Sequence, residues 1–371
     1  MKLQSVPVES GFRLGYRTCL DGLRGIAILA VLIAHTWLAS GCLGPTGVDI
    51  FFVLSGFLIT CLLIEEWDES HSISLKAFYV RRALRLLPAL LAMLVVWVVY
   101  HWIFGAQAVA MQTSIGAVIA LFYSTNWAII LNSGQFPQAF AHTWSLSIEE
   151  QFYLSWAVIL LLMLRRSRSR NSMLAWVALA VFATLVEKVM IRFAVPNGAP
   201  IWRNFATESR ADGLLVGCAL AIALTSGLLP KGRWPRSLAW GVALPGLVLL
   251  NCFDASSEFY FTGFHLAVAL LVAIMILEVL TNGQGAMHRC LAQPWLVFIG
   301  KISYGLYLWH YLVFAEIQAR KWQKPTELSA EIAITVATTL ASFYMLERPV
   351  LRYKRRFEYA ARKPSRFLKQ T

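Results

Sequence analysis

Negative charge is scarce in this chain. Of 371 residues, 20 are Asp or Glu against 33 Lys or Arg, and charged residues of both signs amount to 14%. Soluble domains carry roughly 25%. With 58% hydrophobic residues and a mean hydropathy of +0.60, the chain is too apolar for an ordinary soluble domain, and its length excludes a lone membrane anchor. Cysteine is sparse too: Cys19, Cys42, Cys61, Cys218, Cys252 and Cys290 form no CxxC pair. That argues against a zinc site or a dense disulfide framework and leaves them as packing residues. No Gly-rich phosphate loop, HExxH or GxSxG occurs. The first long apolar stretch lacks a small-residue cleavage site and runs on into another span, so no signal peptide is expected.

What the chain has is apolar runs separated by short basic clusters. A membrane helix needs about 17–25 apolar residues, and such runs lie at 20–38, 48–64, 84–104, 146–164, 174–195, 211–228, 238–252, 261–280, 296–319 and 330–344. The clusters KAFYVRRALR (76–85), RRSRSR (165–170), PKGRWPR (230–236) and RPVLRYKRRF (348–357) arbitrate the topology, because basic residues stay on the cytoplasmic side. All four share a side only if a further run at 115–131 does not cross. The expected fold is therefore all-α, a bundle of about ten spans with one re-entrant or interfacial segment. Both termini are inside in the cytoplasmic membrane of a bacterium, and a basic tail at 354–371 lies against anionic lipid heads. The net charge of +13 thus reports membrane topology and not a nucleic-acid partner.

Against that background the polar residues of the first run, LDGLRGIAILAVLIAHTWL, stand out. Arg24 and His35 are eleven residues apart, close to three helical turns, so both project from one side about 16 Å apart, with Asp21 nearby. Ionisable groups inside a membrane are costly and mark functional sites by default. The topology sorts the others into two layers. Arg81, Arg82, Arg85, Lys301, Tyr304 and Glu347 fall on the inner side. Asp49, His142, Glu149, Glu150, Arg210 and Asp212 fall on the outer side with His35.

Each layer suggests a chemistry. A histidine among carboxylates can serve as general base on an alcohol, since its ordinary pKa suits proton transfer near neutrality and a carboxylate can set its tautomer. The plainer alternative is a histidine hydrogen-bonded inside a helix bundle. Arg82 and Arg85, spaced RxxR beside Arg81, present planar forks suited to phosphate oxygens, although basic residues at a cytoplasmic helix end are also what orientation alone requires. A phosphate-bearing donor entering from the cytosol explains both layers, and coenzyme A has that shape. Ser55 and Gly56 fit close helix packing. Tyr304, Tyr307 and His310, spaced i, i+3, i+6, either line the cavity or belong to an aromatic belt.

These stretches together resemble the acyltransferase 3 family of membrane O-acyltransferases. The resemblance is carried by LDGLRGIAILAVLIAH, GVDIFFVLSGFLIT, FYVRRALRLLPAL, HTWSLSIEEQFYL, RADGLLVGCALA, GKISYGLYLWHY and LERPVLRY, in family order from about Tyr16 to Tyr353. It implies transfer of an acyl group, usually acetyl, from cytosolic acyl-CoA to a hydroxyl on a sugar, glycan or macrolide-type acceptor, with no metal. It also implies His35 as the catalytic histidine, Arg24 as its partner, Glu149 ahead of Glu150 as the orienting carboxylate, and Arg82 with Arg85 as the arginine pair. Arg81, Lys301 and Tyr304 are then further donor contacts, and Asp49, Glu150, His142, Arg210 and Asp212 contacts to the acceptor. No appended hydrolase-like domain is expected after the last span, which leaves the side of acceptor entry open. The rival class is a proton-coupled transporter or flippase using the same intramembrane charges, but no inverted repeat is evident.

Overall fold

The computed structural model describes residues 12–36, 43–132, 138–167, 169–195, 199–228, 234–253 and 256–352. The tail at 354–371, Cys42, and parts of three basic clusters lie outside them. The helices are α1 Thr18–Ala34, α2 Leu43–Ser70, α3 Leu75–Phe104, α4 Gln107–Leu121, α5 Thr125–Leu131, α6 Trp144–Arg166, α7 Arg170–Ala194, α8 Ala199–Phe205, α9 Thr207–Thr225, α10 Trp234–Leu238, α11 Leu244–Leu250, α12 His265–Thr281, α13 Ala286–Leu291, α14 Pro294–Lys301, α15 Ser303–Ala319 and α16 Lys324–Ser342. A 3₁₀ segment at Gln138–Thr143 precedes α6. Wide π turns occupy Ala239–Ala243, Tyr260–Phe264 and Phe343–Glu347. No strand occurs among the described residues.

Among the described residues, six helical segments are long and apolar enough to cross a membrane, or seven if α14 and α15 count as one broken span. This is fewer than the ten runs in the sequence, for identifiable reasons. Helix α1 has 17 residues. Helix α9 carries Glu208, Arg210 and Asp212 in its first two turns, and Arg236–Leu250 is short. The run at 115–131 is not one helix: it breaks at 122–124, where Tyr123 has a φ of +51°. The run at 296–319 is likewise interrupted, at Ile302, where α14 ends and α15 begins.

Local chemistry sets several boundaries. The Ser74 hydroxyl accepts from the Ala77 amide at 3.3 Å to start α3, and Ser169 does the same for Ser172 at 3.2 Å to start α7, each supplying a partner to an otherwise orphaned N–H. Proline stands in the first turn of α14 and of α16, where its missing N–H costs nothing.

The chain divides into two compact units. The first comprises Met1–Ile73, Tyr123–Phe136 and Thr143–Ser303, the second Ser74–Phe122, Pro137–His142 and Tyr304–Thr371. The first unit is assembled on α2, whose buried side meets α1, α9 and α12. Lipid tails give apolar helices no hydrophobic reason to associate, so membrane helix pairs depend on close backbone approach at small residues. That is what is seen here. A Cβ placed on Gly56 would stand 1.9 Å from the Leu214 carbonyl oxygen, and one on Gly217 2.1 Å from that of Val53, so α2 and α9 touch backbone to backbone. Gly47 meets Ala27 and Val31 of α1, and Gly300 of α14 meets Asp21. Cys19, Cys61 and Cys218 are packed in this unit as expected, whereas Cys252 and Cys290 are exposed, contrary to the packing reading.

The second unit contains α3, α4, most of α15 and α16. Tyr304 donates to the Leu86 carbonyl at 3.0 Å, and Tyr100 to Glu316 at 2.7 Å, which ties α15 to α3 at two levels.

Gly217→Val should therefore wedge α2 from α9. An overpacked contact of this kind costs about 1–3 kcal/mol, and thermal unfolding in detergent should show a lower midpoint. Gly241→Ala, where nothing lies within 4 Å of the added carbon, should leave the midpoint unchanged.

Candidate active site

In the first unit, the small-residue contacts deliver charged side chains to one cluster. Asp49, two turns before the Gly56 crossing on α2, accepts from Arg210 Nη2 of α9 at 2.6 Å through Oδ1. Its other oxygen, Oδ2, lies 2.8 Å from His265 Nδ1 at the start of α12. A carboxylate only accepts, so that ring nitrogen carries the hydrogen. Beside them Lys188 of α7 donates to Asp212 at 2.5 Å, and the other oxygen of Asp212 accepts from the Gly213 amide at 2.9 Å. None of the five side chains is more than 2% exposed. The Arg210 guanidinium lies over Phe52 and Trp144, 5.6 and 5.7 Å from the ring centres. A buried charge is tolerated when its partner is equally buried and bonded to it, and both pairs meet that condition.

Glu149 of α6 belongs to the same unit. It accepts from Ser55 at 2.7 Å, so Ser55 does more than permit packing, while its neighbour Gly56 serves the helix contact. Glu150 is half-buried. His35 terminates α1, with Nδ1 2.8 Å from the Val31 carbonyl oxygen. A carbonyl also only accepts, so Nδ1 holds the hydrogen and the neutral ring keeps its basic lone pair on Nε2. Gly44 and Gly47 pack against α1 at Ala34, Ala27 and Val31, which sets the last turn of α1 against the first turn of α2, just ahead of Asp49. Arg24, further back on α1, pairs with Asp21 at 3.9 Å, and Asp21 also accepts from Tyr16 at 2.9 Å.

The other expected residues sort by unit. Lys301 lies in the first unit, its ammonium 5.6 Å from the centre of the Tyr16 ring, whereas Arg81, Arg82, Arg85 and Tyr304 are in the second. Arg81 and Arg82 are half-buried and Arg85 is exposed. His142 is also in the second unit, its ring stacked on Tyr311 at 4.9 Å and 5.9 Å from that of His310. Tyr307 donates to the His142 carbonyl. The depth of His142 in the sequence had grouped it with Asp49; the contacts it shows within its own unit are with Tyr307, His310 and Tyr311. Arg210 joins Asp49 directly and Asp212 stands beside them, but His265 on Asp49 and Lys188 on Asp212 are partners that sequence reasoning passed over. Both stood in apolar runs, where an ionisable residue is itself the signal.

At the rim of the first unit, Arg203 donates to Glu258 at 2.5 Å, with Arg192 3.6 Å from the same carboxylate. The Arg203 hydrogen bond holds the Glu258 carboxyl below the usual carboxylate range. That contribution to stability is present at neutral pH and is lost as pH falls through the lowered value.

A many-helix protein with apolar exteriors, ion pairs sealed inside and a tautomer-locked histidine at a helix end belongs among the membrane-embedded enzymes or carriers. A family model described as an acyltransferase domain matches residues 17–347, and the chain belongs to that family, acyltransferase 3. It is 32% identical over 354 residues to the peptidoglycan O-acetyltransferase OatA of Listeria monocytogenes, covering 90% of this chain and 56% of the relative. It is 31% identical over 372 residues to the O-acetyltransferase OatA of Staphylococcus aureus strain MRSA252, covering 95% and 60%. The chain thus spans rather less than two thirds of the length of these relatives. No solved structure matches it.

Lys188→Met should strand Asp212 and lower stability by about 3–5 kcal/mol, and Asp212→Asn should do the same to Lys188. The double variant should regain part of the loss. Thermal unfolding of the three proteins in detergent measures the coupling, and strictly additive losses would show that the pair does not act as one.

Proposed function

We propose that the protein is an integral membrane O-acyltransferase that moves an acyl group, acetyl in the first instance, from cytosolic acyl-CoA to a hydroxyl of a sugar or glycan. His35 is the general base. The observation that carries this is the Val31 carbonyl on His35 Nδ1 at the end of α1, which leaves Nε2 as the basic nitrogen of the neutral ring. The names of the relatives support O-acetyl transfer, and that of the Listeria relative, a peptidoglycan O-acetyltransferase, supports a glycan acceptor.

In this reading His35 Nε2 takes the proton of the acceptor hydroxyl as its oxygen attacks the thioester carbon. The carbon–sulfur bond then breaks, and the same proton passes to the thiolate, so His35 ends the cycle neutral. Glu149, held by Ser55, supplies negative charge that favours the transient imidazolium. Arg24 holds Asp21 and completes the arginine–histidine pair on α1. Asp49, Arg210 and Asp212, with Lys188 and His265, form the rigid floor on the acceptor side. Arg82 and Arg85 bind the donor phosphates, with Arg81 and Tyr304 as neighbours; direct transfer needs no covalent acyl-enzyme.

The ten-span topology belongs to this proposal. Six long helices, the broken α14–α15 pair, α1, α9 and Arg236–Leu250 make ten, with Arg210 and Asp212 of α9 paired inside the protein to Asp49 and Lys188.

Purified protein given acetyl-CoA and a chito-oligosaccharide should release free CoA and acetylate the sugar. His35→Ala should reduce this by about 10²–10⁴-fold, the range for loss of a general base, while unfolding at the wild-type temperature. Arg85→Ala should chiefly raise KM for acetyl-CoA. Normal turnover by His35→Ala removes the base from this account. Absence of CoA release by the wild type, across acyl chain lengths, favours the transporter reading.

A further inference from the structure

Helix α16, in the second unit, has its polarity inside out. Glu327, Glu331, Thr335 and Thr339 follow one another at intervals of four, with Ser342 and Glu347 continuing the same stripe, and all six are buried. Ile332, Ile334 and Val336 are exposed on the remaining surface. Spacing of four keeps side chains on one helical face, so a polar face is turned inward along about 24 Å from Glu331 to Glu347.

Among the described residues, part of that face has no hydrogen-bond partner. Thr335 Oγ1, Thr339 Oγ1 and Glu331 Oε2 are buried without a hydrogen bond, as is Nε1 of Trp309 on α15. A threonine in a helix can return its hydroxyl to the preceding turn, and half-buried Thr338 does so, donating to the Ile334 carbonyl at 2.8 Å. Its two buried neighbours do not. Gly305 of α15 faces Thr339, where a Cβ would meet its methyl carbon at 3.0 Å and Glu347 Oε1 at 3.3 Å. Trp309 lies one turn further along α15 from Gly305. At the far end Glu347 accepts from Ser342 at 3.3 Å and is within electrostatic reach of Arg85.

We propose that this face of α16, with Gly305 and Trp309 of α15, is the track for the pantetheine arm of the donor, leading away from Arg85. The inference rests on the reading of acyl-CoA as donor. The unsatisfied groups match what the arm offers: Thr335, Thr339 and Trp309 donate to amide carbonyls, and Glu331 Oε2 accepts from an amide N–H. The dimensions match as well. The arm is equivalent to about four residues of extended chain, roughly 14 Å, and the unpaired groups from Thr339 to Glu331 span about 12 Å of helix. Its two amides are about 5 Å apart in an extended chain, against a rise of about 6 Å between Thr339 and Thr335. The closed helix pair leaves these groups unpaired, and an arm lying along them satisfies them.

The test uses the full chain in detergent. Coenzyme A binding is measured by calorimetry, and CoA or thiol release is followed from acetyl-CoA, S-acetyl-pantetheine and phenyl thioacetate, which lacks amides. Thr335→Val/Thr339→Val should weaken coenzyme A binding and raise KM for both pantetheine donors about tenfold, with phenyl thioacetate unaffected and Thr339→Ser close to wild type. Arg85→Ala should affect acetyl-CoA and spare S-acetyl-pantetheine. Unchanged binding and KM in the double valine variant overturn the track while leaving the donor reading intact, as does an equal loss with phenyl thioacetate. A wild type that neither binds coenzyme A nor cleaves its thioester overturns both.

Discussion

One buried carboxylate, Asp49, holds two partners at once. Arg210 reaches it from α9 and His265 from α12, so three helices are joined at a single buried point. The alternatives are expensive, since an unpaired ion in this position costs several kcal/mol. The register of α2 against α9 is therefore doubly specified, by the charge pair and by the backbone contacts at Gly56 and Gly217. Neither device alone would suffice in lipid: glycine contacts permit several sliding registers, and an ion pair without close approach would admit water. Their combination places the end of α9, and with it Asp212 and Lys188, where the ends of α1, α2 and α12 already lie.

Both units invert the usual rule for soluble proteins, in which polar groups face outward. Ordinary amphipathic patterning is absent because the outside of a membrane helix is itself apolar. What distinguishes inside from outside is then polarity alone. The first unit uses that interior for charge pairs, although Arg210 Nε and Nη1 and His265 Nε2 make no hydrogen bond among the described residues. The second uses hydroxyls, an indole and carboxyls, several of which are likewise unpaired there.

The helical class of the fold and the membrane character were legible in the chain, because apolar runs of this length and number fit a soluble core poorly and a bilayer well. So was the gathering of Asp49, Arg210 and Asp212, which followed from assigning each to a depth. Depth says how far along the membrane normal a residue sits and nothing of which helices pack together. Lys188 and His265 were visible as ionisable residues in apolar runs but had no neighbour in sequence to suggest a role; only the packing of α7 and α12 gives them one. The stripe on α16 was hidden for a different cause. Threonine and serine barely dent a hydropathy profile, so a face of hydroxyls reads as part of an ordinary span until the helix is known to turn that face inward. The breaks at 122–124 and at Ile302 are marked only by the short polar stretches YSTN (123–126) and GKIS (300–303), which the apolar residues on either side outweigh in a hydropathy window.

The wide turn at Tyr260–Phe264 also fixes a spacing. A π turn accommodates one residue more than the α-helical turn it replaces, and here it stands between Glu258, which Arg203 binds, and His265, which Asp49 binds. A residue gained or lost where no such turn absorbs it would rotate one side against the other by about 100°. Every side chain of both pairs would still be encoded, yet they would no longer meet their partners together. The length of this segment is thus as much a part of the site as the chemistry of its residues, and a chain that kept all the polar groups while changing that spacing by one would have lost the arrangement.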